Sequence, residues 1–172
     1  MAVDHLWPLL EFPALEGDED ALIAAYKAAY ICHYVKDEAG HRYVHRDWAG
    51  QAVLFSEHAF DHAFTSTAHF REGLAHDGFS LPRAKRMLWI REVLAASAGT
   101  ISRYEQTRTD SRGRSTKRRS FVVAEERYVV VLDHPRKAGD PFRFVTAFNV
   151  EDEGYLRELK QKGFLAETRP RK

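Results

Sequence analysis

The stretch ISRYEQTRTDSRGRSTKRRSFVVAEERYVVVLDHP, residues 101–135, followed by FRFVTAFNV, residues 142–150, decides the fold. It holds four strand-length segments rich in β-branched and aromatic residues, at 100–108, 118–124, 127–133 and 142–150. A polar tip at 110–117 containing Gly113, the tight link Glu125-Glu126 and a loop from Pro135 to Pro141 join them in order. Four strands linked this way predict an antiparallel meander.

Outward from that stretch the chain turns helical. Ser80-Leu81-Pro82 has the form of a helix start, and Ala84, Met87, Leu88, Val93 and Leu94 carry an inward pattern towards Gly99, which predicts a helix over 82–97. Ser56 is placed to cap a shorter amphipathic helix over 57–64. On it Phe60 and Phe64 share one face, and His58 and His62 share another. Short β-leaning pieces at 42–44 and 52–55, separated by Gly50, predict a small hairpin. Asp18, with Glu19 and Asp20 behind it, starts a helix over 19–32. Trp7, Leu9, Leu10 and Phe12 make residues 1–18 an apolar arm that packs on the domain. Downstream, a helix over 151–161 closes at Gly163 before a basic tail. The expected fold is therefore α+β, a helical N-terminal half followed by a four-stranded antiparallel sheet and a C-terminal helix. It forms a single domain over 1–172, with arm, helix and hairpin in 1–52, a helix-plus-sheet core in 53–150 and the last helix and tail in 151–172.

Composition bounds the class of protein. The 172 residues are 44% hydrophobic and 30% charged, an ordinary balance for one folded domain. Cys32 is the single cysteine, so internal disulfides are excluded and a reducing, cytoplasmic location is expected, with Cys32 packed as a small hydrophobe. No apolar run approaches the roughly 20 residues that cross a bilayer, so no membrane partner is expected.

The net charge is +1, yet Arg103, Arg108, Arg112, Arg114, Lys117, Arg118 and Arg119 crowd one hairpin against only Glu105 and Asp110. Guanidinium groups grip phosphate bidentately, so this segment points to a nucleic acid; a solvated hairpin tip whose charges protect a strand edge is the plainer reading. His58 and His62 at i,i+4 present two imidazoles to one reacting group. A metal would need a third ligand such as Asp61, His69 or His76, and no Glu follows His58 in the metalloprotease arrangement, so neither metal nor cofactor is expected. Proton transfer is the stronger reading: base and acid for attack of a ribose 2′-hydroxyl on its phosphate, with arginines stabilising the transition state. Strand alternation places Phe144, Thr146 and Phe148 on one face, where Thr146 can hold a phosphate oxygen and Phe148 can stack on a base.

This order of elements, a His-bearing helix, a helix ending before GTISRYEQTR, then RRSFVVAEERYVVVLDHP and FRFVTAFNV, resembles the phage-associated nucleases grouped with barnase, EndoU, colicin and RelE toxins. The resemblance covers about residues 53–150. It implies a metal-independent endoribonuclease, a toxin or mobile-element effector that cleaves RNA, tRNA included, and leaves cyclic phosphate ends. An immunity or antitoxin protein is the second partner it implies. By position, His58 and His62 match the helix-borne histidine feature, Thr146 the last-strand hydroxyl, and Arg103, Arg118 or Arg119 the phosphate-binding cation. Phe148 stands where a tyrosine is common. The rival reading is a non-catalytic nucleic-acid-binding or phage structural module.

Overall fold

The computed structural model describes residues 3–65 and 78–170. Helix α1, Glu19–Tyr30, begins where Asp18 accepts the Ala21 N–H at 3.1 Å, with Glu19 and Asp20 in the first turn. It continues through a wider π-helical turn, Ile31–Val35, that keeps Tyr34 in line with Tyr26 and Tyr30. This tyrosine stripe is buried, and each hydroxyl donates to a backbone carbonyl elsewhere: Tyr26 to Leu10 at 2.7 Å, Tyr30 to Ser56 at 2.8 Å, Tyr34 to Met87 at 2.6 Å. One helix thereby ties down the N-terminal arm and both central helical segments. The arm packs as expected, with Trp7 buried and Leu6, Leu9, Leu10 and Phe12 against the same core.

The expected helix over 82–97 is two short ones, α3 (Leu81–Lys85) and α4 (Trp89–Ala95). The cause is Tyr34. In a continuous helix the Arg91 N–H would bond the Met87 carbonyl; instead the Tyr34 hydroxyl donates to that carbonyl and accepts from the Arg91 N–H at 3.3 Å. A side chain inserted into the i→i−4 ladder breaks it. The histidine helix α2 is shorter than expected, Ala59–Ala63, with Phe60 and Phe64 buried. Cys32 is exposed, not packed.

Among the described residues the sheet has seven strands, not four, and it is mixed. They are β1 (His45–Arg46), β2 (Ala52–Leu54), β3 (Ile101–Thr109), β4 (Ser115–Val123), β5 (Tyr128–Asp133), β6 (Phe142–Asn149) and β7 (Phe164–Arg169), in the spatial order β1-β2-β6-β5-β4-β3-β7. The meander β3 to β6 pairs antiparallel. Beyond it, the early hairpin joins through β2, parallel to β6, and the basic tail is β7, antiparallel to β3. The C-terminal helix, α5 (Glu153–Lys162), is capped by Asp152.

The sheet curls into a half-barrel because its two ends are fastened together. Trp48, in the turn after β1, donates its indole N–H to Glu167 on β7 at 3.0 Å and meets Phe121 of β4 edge-on at 5.1 Å. Beside it Arg119 on β4 donates to Glu105 on β3 at 2.6 Å, lies 3.5 Å from Asp47, and sits over the Phe142 ring at 4.2 Å. Glu105 also pairs with His134. The inner face of the sheet carries the large core with Phe121, Tyr128, Val130, Phe144 and Ala147. The outer face carries a second cluster, with Tyr104, Val122, Val129 and Val131 under Tyr155, Leu156 and Leu159 of α5.

Val145 is bulged: Val131 pairs with Thr146 but Leu132 pairs with Phe144. The expected alternation fails there, since the extra residue turns Phe144 into the inner core while Thr146 and Phe148 stay on the outer face.

Replacing Arg119 by Met leaves Glu105 and Asp47 without their shared cation, Asp47 being buried. The expected loss in chemical denaturation is about 3–5 kcal/mol; a loss under 1 kcal/mol would show that the closure does not hold the sheet.

Candidate functional site

On the outer face lies a cleft of about 650 Å³, within the range that accepts a nucleotide-sized ligand. Its floor is the meander: Gln106 and Arg108 from β3, Arg118 and Ser120 from β4, Thr146 and Phe148 from β6. Strand register explains the selection, because Gln106 pairs with Arg118 and Val131 with both Ser120 and Thr146, all pointing to one side. One wall is His62 and Thr65 from α2 and its end, with Arg83 from α3; the other is Tyr155 and Glu158 from α5.

Arg83 locks the first wall to the floor. Its guanidinium donates to the carbonyls of Ala63 at 3.3 Å and Thr65 at 2.7 Å, and lies 5.3 Å from the centre of the Phe148 ring. Burial lowers its pKa while Glu151 pulls upward; an arginine so placed keeps its charge. Arg118 donates from Nε to Asp133 at 3.2 Å, which aims the guanidinium along the floor.

His62 stands at the cleft rim. Its pKa is lowered, first by desolvation against the protein and then by the cations Arg118 and Arg83, with Asp133 partly offsetting them. The imidazole is therefore neutral down to a lower pH than an ordinary histidine, the form a general base requires.

The basic hairpin is divided by the pleat. Of its cations, Arg108 and Arg118 line the cleft. Arg103 and Arg119 point to the inner face, where both contact Glu105; Lys117 pairs two residues along from Arg119 and shares its face. Arg112 and Arg114 are exposed at the tip, where Arg114 is bound to Asp110 at 3.0 Å. His58 is exposed at the head of α2 and does not line the cleft. Thus His62, Arg108, Arg118, Thr146 and Phe148 come together, and His58, Arg103, Arg112, Arg114, Lys117 and Arg119 do not join them. Asp61 is exposed on α2, and His69 and His76 lie outside the described residues. Among the described residues, no three His, Cys, Asp or Glu side chains converge to hold a metal ion.

Sequence reasoning missed Arg83, Ser120 and Tyr155. Ser120 was within reach, standing two residues after Arg118 on the same strand; Arg83 and Tyr155 carry no local signal, since only packing brings their helices to the cleft. No family model, curated protein or solved structure matches the chain.

In an NMR titration the His62 ring is expected to have its midpoint below the ordinary value of about 6.5. Arg118→Ala removes a like charge and moves it up, whereas Asp133→Asn removes the opposing one and moves it down. A midpoint indifferent to both variants would remove the electrostatic account.

Proposed function

We propose that the protein is a metal-independent endoribonuclease whose active site is the outer-face cleft, as its resemblance to phage-associated nucleases and toxins implies. The observation that carries this is the convergence, from three separate elements, of a base, a cation and a hydroxyl: His62 on α2, Arg118 on β4 and Thr146 on β6. Each has a task in cleavage of RNA by its own 2′-hydroxyl. His62, held neutral, takes the 2′-hydroxyl proton. Arg118, with Arg108 beside it, faces the charge that accumulates on the non-bridging oxygens. Thr146 donates to one of those oxygens, and Phe148, backed by the Arg83 guanidinium, offers a ring on which a base stacks. The products are a 2′,3′-cyclic phosphate and a 5′-hydroxyl. His58, outside the cleft, has no part in the step.

The test is purified protein with total cellular RNA in excess chelator. The wild type is expected to make discrete cuts ending in cyclic phosphate. His62→Ala should slow cleavage by at least about 100-fold, Thr146→Val by about 10-fold, equivalent to about 1.4 kcal/mol of transition-state stabilisation, and His58→Ala hardly at all. RNA that stays intact but bound would instead assign a binding module. The rate should rise with pH on the acid side as His62 deprotonates and level off below the ordinary histidine range.

A further inference from the structure

Attack by the 2′-oxygen and departure of the 5′-oxygen lie on opposite sides of phosphorus, so the base and the acid must reach the phosphate from opposite walls. α2, which bears His62, packs on β6, and α5 packs on β3. Between the walls stands Phe148 of β6, its ring centre 5.3 Å from the Arg83 guanidinium on the α2 and α3 side and 5.2 Å from the Tyr155 ring on the α5 side. The wall facing His62 presents Tyr155 and Glu158 to the cleft, with Asp152 and Glu151 at its head. Carboxyl groups surrender their proton well below neutrality; Glu158 is held lower still by its hydrogen bond to Lys162, and Asp152 is engaged as the cap of α5. Guanidinium and aliphatic hydroxyl groups are too weak as acids for the role. Among the described residues that line the cleft, one side chain on that wall both carries a proton at neutral pH and is acidic enough to give it to an alkoxide.

We propose that Tyr155 is the general acid of this cleft, handing its phenolic proton to the departing 5′-oxygen of an RNA phosphodiester while His62 takes the 2′-hydroxyl proton from the other side. The inference rests on the ribonuclease reading of the cleft. In the step the O2′–H proton passes to the His62 ring, the O2′–P bond forms, the P–O5′ bond breaks with its electron pair on O5′, and that oxygen takes the phenolic proton. Water then reprotonates the phenolate and removes the proton from the imidazolium.

The surroundings of Tyr155 suit the task. The ring is fixed edge-on against Phe148 at 5.2 Å, the same Phe148 that Arg83 covers from the opposite wall. Burial raises its pKa and keeps the proton in place before reaction, whereas a hydrogen bond from Ser120 and the charges of Arg108 and Arg118 favour the phenolate once the proton has gone. Those cations on the floor serve the phosphate and the phenolate together.

Leaving-group replacement tests this. Wild type and Tyr155→Phe, which keeps the ring and its packing, are assayed on an RNA oligonucleotide containing a mapped cut, and on the same oligonucleotide with sulfur in place of the bridging 5′-oxygen. A thiolate departs without a proton, so it needs no acid. Tyr155→Phe is expected to lose at least about 100-fold on the oxygen substrate and to cleave the sulfur substrate within a few-fold of wild type; His62→Ala is expected to be slow on both. A Tyr155→Phe protein that cuts the oxygen substrate at the wild-type rate, or is slowed equally on both substrates, overturns the assignment of the acid. A wild type that cuts neither substrate overturns the ribonuclease reading itself.

Discussion

The short ion pair between Arg119 and Glu105, with Asp47 on the other side of the guanidinium, is the contact on which the rest of the architecture depends. Burying these charges is costly unless each finds a partner in good geometry, and the partners here come from the turn after β1, from β3 and from β4. Glu105 accepts a hydrogen bond from the guanidinium, whereas Asp47 meets it as an ion contact at 3.5 Å, and the curl of the sheet is what brings the three elements together. Trp48, bonded to Glu167 across the closure and packed on Phe121, fills the apolar side of the same junction. With the sheet curled around this point, its inner face is filled by the tyrosine stripe of α1 and the short helices, which leaves the outer face to carry the cleft.

The bulge at Val145 sorts the last meander strand between these two faces. Without it Phe144, Thr146 and Phe148 would all point one way, and either the core would lose Phe144 or the cleft would lose its hydroxyl and its stacking ring. One inserted residue lets a nine-residue stretch serve both a dry interior and a polar site. Arg83 does comparable work between elements: by bonding the carbonyls at the end of α2 and covering Phe148, it makes the position of His62 depend on that of the strand bearing Thr146.

Local features were legible in the sequence and distant ones were not. The Asp18 cap, the β-rich segments of the meander and its turns were readable, because neighbouring residues determine them. The parallel pairing of β2 with β6 unites segments separated by more than 80 residues and has no periodicity to reveal it. Strand β7 looked like a charged tail because Glu167 and Arg169 face partners in the closure instead of solvent. The broken helix after Ser80 keeps a helical pattern of apolar residues; at its interruption the carbonyls are taken by Leu10, Tyr34 and Tyr128, all distant in the chain. Within the site, the histidine, the threonine and the basic hairpin are recognisable by residue type, but which arginines face the cleft depends on register, and register is set by pairing between strands.

The bond from Trp48 to Glu167 spans 119 residues of chain, so closing it carries the loop entropy of most of the protein. On the ribosome the hairpin bearing Trp48 emerges long before its partner strand. A growing chain lacks both the closure and the α5 wall of the cleft until β7 and the helix before it are out. Synthesis order thus separates the histidine from the opposite wall of its cleft in time, and a polypeptide released before Glu167 would carry His62 on an unclosed sheet.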